Sequence, residues 1–326
     1  MAQTEYNWPK IGNDQAIEFL ARSLQSGRIA QTYIFTGVDD LGKSTIALAF
    51  ARHLQGDQDG FNADLHLLAP EAGEKSISIE ATRQFIKLLN LSSFSNSYKI
   101  GVIKEAELLS DEAKSALLKT LEEPKDKVVI ILLVSEESNL PATILSRAQI
   151  LYFYPVPAAV IYDYLIDNYG TNRSLAKDLA NLALGRPLAA LHLLEHPEEY
   201  SAYLAKAEAW LSLPSLDLNA RLSALDQLFK DKTWSKQALD SAGELIAIAE
   251  GLARDLFLLS LGQPERMQHS ALNPSLEKTL VGLNEASGGD SAPVILRQLK
   301  LLAQAKEYLA ANVNPRLILE QIVVNL

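Results

Sequence analysis

Gly37-Val-Asp-Asp-Leu-Gly42-Lys43-Ser44 fits the pattern G-x-x-x-x-G-K-[ST] and lies between the apolar run Thr32-Tyr-Ile-Phe35 and a helical stretch from Thr45 to Leu54. A phosphate-binding loop needs this strand, turn and helix. Its backbone N–H groups point at phosphate oxygens, and the following helix directs its positive end at them. In such a loop the lysine reaches the outer phosphates and the serine hydroxyl holds Mg²⁺. Gly37, Gly42, Lys43, Ser44 and Thr45 are therefore the candidate residues for ATP or ADP. A chance match to the fixed positions is expected in on the order of one chain in a hundred of this length.

Outward from the loop, strands and helices alternate. Asn13 is placed to cap a helix with the apolar stripe Ile17, Leu20 and Leu24, stopped by Gly27. After loops at 56–64 and 70–75, a helix from Ile79 to Leu91 precedes a strand from Tyr98 to Ile103. Ser110 caps the next helix, with Asp111 and Glu112 in its first turn, and Pro124 ends it. Val128-Val-Ile-Ile-Leu-Leu-Val134 has no alternation, as in a strand covered on both faces. Pro141 opens a short helix to Arg147, and Gln149 to Phe153 gives one more strand. This order implies an α/β domain with a parallel sheet. After Pro157 only helical patterns follow, broken at Gly170, Gly185, Pro214, Gly262 and Gly288, with Asn314 and Pro315 opening the last helix.

The chain has 326 residues, 48% of them hydrophobic and 21% charged, which suits two or three domains with cores of their own. It lacks a secretion-type start, and its apolar runs are too short to span a bilayer, so no membrane role and a cytoplasmic location are expected. With no Cys, disulfides and thiolate metal sites are excluded, and no zinc is expected. His192 and His196, four apart on one helix face, are read as solvated surface. The net charge of −10 disfavours a chain that grips nucleic acid unaided, since that binding is driven by Lys and Arg.

Further stretches narrow the fold family. Leu117-Leu-Lys-Thr-Leu-Glu-Glu-Pro124 resembles a signature of AAA+ clamp-loader subunits, and Leu140-Pro-Ala-Thr-Ile-Leu-Ser-Arg147 resembles their Ser-Arg-Cys segment, with Ala148 in place of Cys. Asn312-Val-Asn-Pro-Arg-Leu-Ile-Leu-Glu320 is similar to their closing helix. The chain is thus identified as resembling the AAA+ clamp-loader subunits of bacterial DNA polymerase III, most closely the delta-prime class. The resemblance implies a RecA-like P-loop domain over 1–155, a helical lid over 156–198 and an all-helical collar over 199–326. It also implies gamma/tau and delta subunits as partners in a ring that sets the sliding clamp on primer-template DNA.

Departures from the family pattern point to the role of this member. The segment that follows its sheet strand with a metal-binding Asp and a catalytic Glu here reads Lys104-Glu105. An ammonium cannot coordinate Mg²⁺, so Mg²⁺ is doubtful and Glu105 stands as a vestigial base position. Asp39 and Asp40 place negative charge in a loop meant for polyphosphate, unless both face solvent. Leu188 stands where motor subunits are expected to offer an Arg to ATP, and the four-Cys zinc module of many relatives is replaced by the loop from Gly56. Arg147 is kept, and the resemblance implies that it reaches the nucleotide of a neighbouring subunit in trans. The expectation is a delta-prime-like stator without its own ATPase cycle. The alternatives are an ATP-hydrolysing gamma/tau-like motor or another AAA+ ATPase.

Overall fold

Five parallel strands organise the first part of the chain: β1 (Thr32–Thr36), β2 (Leu65–Leu68), β3 (Lys99–Ile103), β4 (Val128–Val134) and β5 (Gln149–Tyr152), in the spatial order β2-β3-β4-β1-β5. The computed structural model describes residues 6–56, 64–71, 74, 76–93, 98–123, 125–230 and 235–326. Two packing units emerge, Met1–Asn168 with Gly185–Ala189, and Tyr169–Leu184 with Ala190–Leu326. Residues 156–198, expected from sequence as a lid, are shared between them.

The apolar runs of β1 and β4 are buried throughout because helices cover both faces. Side chains alternate across the pleat. Tyr33, Phe35, Ile131 and Leu133 meet residues of α1 (Asp14–Ser26) and α2 (Lys43–Leu54) on one side. Ile34, Ile130 and Leu132 meet α3 (Ile79–Leu89), α4 (Asp111–Glu122) and α5 (Ala142–Leu145) on the other. Ser78 and Ser110 cap α3 and α4 by accepting from Ala81 N and Ala113 N. α6 (Ala158–Tyr169) closes this part of the chain.

Asn13 corrects the sequence expectation. It precedes α1 in a left-handed conformation and makes no side-chain cap. Its amide instead accepts from Tyr154 N at 2.7 Å and donates to Leu41 O at 3.4 Å, tying the P-loop to the segment after β5. β2 is a strand that sequence patterning did not indicate. The loop expected at 56–64 falls largely outside the described residues, as do parts of the one at 70–75 and the helix stop at Pro124.

The helical unit contains α7 (Arg173–Leu182), most of α8 (Pro187–Glu195), α9 (Pro197–Ser212), α10 (Leu218–Leu228), α11 (Lys236–Ser260), α12 (Asn273–Ala286), α13 (Ala292–Ala310) and α14 (Pro315–Val324). α11 packs against α9, α12, α13 and α14 around Leu245, Ile246, Leu252, Leu302 and Ile322. Asn314 caps α14 from its side chain, with Pro315 in the first turn. His192 and His196 do not share one helix: His192 lies in the last turn of α8 and His196 precedes α9, with ring centroids 4.3 Å apart and a 2.9 Å contact from His192 to Glu199. Among the described residues no helix is long and apolar enough to cross a membrane.

Candidate functional site

The P-loop leaves the end of β1, which lies between β4 and β5, so it emerges where parallel sheets usually bind ligands. Gly37 has φ 146° and Gly42 has φ 88°. Neither position has room for a side chain: a Cβ on Gly37 would overlap the Phe153 carbonyl oxygen, and one on Gly42 would overlap Ile11 Cδ1. Gly42 precedes α2 and brings no side-chain cap to it, so the first-turn N–H groups face the loop.

Lys43 curls back over this turn. Its ammonium donates to the Gly37 carbonyl and, at 2.9 Å, to the Val38 carbonyl, and it stands 3.6 Å from Asp39 Oδ1. Burial pushes the Lys43 ammonium below its ordinary pKa, against the opposing pull of Asp39. Asp39 and Asp40 both face solvent, the Asp39 side chain being 82% exposed. Asp40 enters the site through its carbonyl, which accepts from Leu188 N at 3.0 Å.

The ends of β3 and β4 supply the opposite wall. Lys104 N donates to Leu68 O at 2.8 Å, and Glu105 adopts φ 50° before a short 3-10 turn at Ala106–Leu108. That turn swings Glu107 toward β4, where its Oε1 accepts from Ser135 N at 2.9 Å and from Ser135 Oγ at 2.5 Å. Glu107 Oε2 is buried without a partner. Sequence reasoning had passed over this pair. Ser135 directly follows a buried strand, but Glu107 lies four residues beyond one, inside the 3-10 turn.

Gly42, Lys43, Ser44, Lys104, Glu107 and Ser135 together line a cleft of about 220 Å³. Glu105 and Leu188 line it too, whereas Thr45 and Arg147 do not. The glycine turn, the open helix start and the buried Lys43 fit a phosphate chain. Mg²⁺ would meet Ser44 and Glu107 there, with Lys104 rather than a carboxylate beside them, a donor set poorly suited to that ion.

Arg147 follows α5. Its Nη1 donates to Thr143 O at 2.9 Å and Ser146 Oγ at 3.2 Å, while Nη2 donates to Glu122 Oε1 at 2.9 Å. The side chain remains 37% exposed.

A family model described as "DNA polymerase III, delta subunit" matches residues 12–157, the part that carries Arg147 and the cleft apart from Leu188. The delta' subunit of Bacillus subtilis DNA polymerase III is 26% identical over 98% of both chains. The delta' subunit of Escherichia coli is 30% identical over 64% of this chain and 68% of its own length. The chain belongs to the delta-prime family of DNA polymerase III clamp-loader subunits. A tau subunit of B. subtilis is also similar, at 23% identity over 97% of this chain and 60% of its own. The fold is shared with a Thermotoga maritima gamma subunit-related protein, at 20% identity and a TM-score of 0.52 over 95% of this chain and 98% of that one. In this delta-prime family member, then, an intact phosphate loop faces a lysine across the cleft, and the family's Ser-Arg segment is exposed elsewhere on the same unit.

Proposed function

We propose that this chain is a stator-like member of the clamp-loader ring that runs no hydrolytic cycle of its own and lends Arg147 to ATP held by an adjacent subunit. Lys104 carries the reading: it lines the phosphate cleft at the position where the family's metal-binding carboxylate is expected. Without a divalent ion bridging the outer phosphates, charge developing in phosphoryl transfer is poorly neutralised, and Glu105 has no metal-activated partner to serve. A static ATP or ADP remains compatible with the loop. Arg147 supports the second half of the reading, since it is exposed, fixed by three hydrogen bonds and outside its own cleft.

The partners that follow are gamma/tau and delta subunits, with the sliding clamp and primer-template DNA reached through the assembled ring. The helices from about residue 199 onward provide an apolar core without cleft chemistry, which suits a collar. The deciding experiment mixes the purified chain with gamma/tau and delta and reads the composition of the eluted complex. A chain that fails to enter a ring, or that hydrolyses ATP alone at about one turnover per second or faster, is not this stator.

A further inference from the structure

The cleft holds a cation where a metal ligand is expected. Lys104 lines it together with Lys43, and among the described residues its side chain makes no hydrogen bond or ion pair. Lys43, in contrast, is engaged by the Gly37 and Val38 carbonyls and by Asp39. From this arrangement we infer that the cleft binds a diphosphate or triphosphate chain without a divalent metal, the Lys104 ammonium standing where Mg²⁺ stands in a working P-loop.

The chemistry is consistent on both sides. An ammonium is a compact charge with three donors, able to bridge phosphate oxygens as a point charge. It cannot share the position with Mg²⁺, because two cations competing for one set of oxygens repel each other. The cleft also contains Asp39, Asp40, Glu105 and Glu107. The first three are exposed and screened by water, while Glu107 is engaged with Ser135. Against those four carboxylates Lys43 would be the single ammonium of the cleft if Lys104 were lost. Lys104 therefore strengthens the hold of the loop on a polyanion. The polar side chains of the cleft of about 220 Å³ suit the phosphate chain as the recognised part of the ligand.

The inference rests on the stator reading only in taking the metal position as lost, and it is tested on the isolated full chain, where ring assembly plays no part. Tripolyphosphate, ADP and ATP are titrated calorimetrically in EDTA and again in excess Mg²⁺, with thermal unfolding as a second readout. The wild type is expected to bind tripolyphosphate in EDTA within about threefold of its affinity in Mg²⁺, and to raise its unfolding temperature in both. Lys104→Met should lose roughly tenfold or more in either buffer. Lys104→Asp should bind weakly in EDTA and regain affinity in Mg²⁺. Equal affinities for tripolyphosphate and ATP indicate that the phosphate chain alone is read, whereas preference for ATP by more than about tenfold overturns that part. Wild-type binding that requires Mg²⁺, absence of binding in both buffers, or a folded Lys104→Met that binds normally overturns the inference. None of those outcomes bears on whether the chain enters the ring.

Discussion

Arg147 and Glu122 form a 2.9 Å ion pair that joins the turn after α5 to the last residue of α4. The C-terminal end of α4 favours a cation there, and the carboxylate fixes the guanidinium plane. An exposed pair of this kind contributes at most about 1 kcal/mol, so its service is to hold direction rather than to stabilise the fold. Arg147→Ala is expected to leave folding and assembly intact. In reconstituted complexes it should lower DNA-stimulated ATP turnover by roughly tenfold or more, less than the largest arginine-finger effects. Arg147→Lys should recover little, since a point charge lacks the planar fork. Glu122→Gln should give a smaller loss. Unchanged turnover in an intact Arg147→Ala complex would reduce the chain to a passive ring member.

The isolated chain should hydrolyse ATP at or near background. Steady-state turnover measured with a Lys43→Ala control decides the matter, and Lys43-dependent turnover approaching one per second contradicts it. Lys104→Asp alone is not expected to create an active site. Ser135, which would face the phosphates, is held by Glu107, so a working site would need that contact released too.

Much of the P-loop unit was legible because its signals are local. Burial of β1 and β4 follows from unbroken apolar runs, and the Ser110 cap follows from residues a turn apart. What was missed depends on contacts distant in sequence. Asn13 has the composition of a cap, yet bonds to Tyr154, 141 residues away. Glu107 and Ser135 are 28 residues apart and meet because β3 and β4 are neighbours. β2 is four residues at the sheet edge with one buried side chain, too short for a periodic pattern to emerge. Arg147 was found through its motif, but its Glu122 holder only through geometry.

Gly37→Ala should destabilise the first unit by about 1–3 kcal/mol, through left-handed backbone strain and a clash with a carbonyl that cannot move aside. Gly27→Ala is the control. Gly27 also has positive φ, at 66°, but its Cβ would meet nothing within 4 Å. Urea unfolding should show the larger loss at Gly37. Equal losses would mean that φ alone matters and that the close approach to Phe153 does not.

His66 gives a pH dependence of known sign. Burial lowers its pKa below the ordinary 6.5 and Lys99 lowers it further, with Asp64 opposing. Its Nε2 is buried and unpartnered, close to the buried Lys99–Asp64 pair at 3.5 Å. The unfolded chain takes up a proton at His66 more readily than the folded one. Stability from this group is present above 6.5 and is lost as pH falls through that value. Between pH 7.5 and 5.5 the wild type should therefore lose more unfolding free energy than His66→Gln. If both lose the same amount, His66 does not control the response.

The helical unit carries its own buried polar hub. Asp255 on α11 is fully buried and accepts from Gln268 N at 2.9 Å, His269 N at 2.8 Å and His269 Nδ1 at 2.7 Å. His269 Nε2 lies 2.8 Å from the Tyr203 hydroxyl of α9, with the two rings stacked at 8°. The segment after α11 is thereby anchored to two helices at once. Removing the carboxylate strands two backbone N–H groups and the imidazole N–H, whereas removing the hydroxyl releases His269 Nε2 from Tyr203. Asp255→Ala should cost about 3–5 kcal/mol, and Tyr203→Phe about 1 kcal/mol. Hydrogen exchange of α11 amides in the full chain reads both variants on the unit concerned. If Tyr203→Phe loosens α11 as much as Asp255→Ala does, the hub lies in the ring stack and not in the carboxylate.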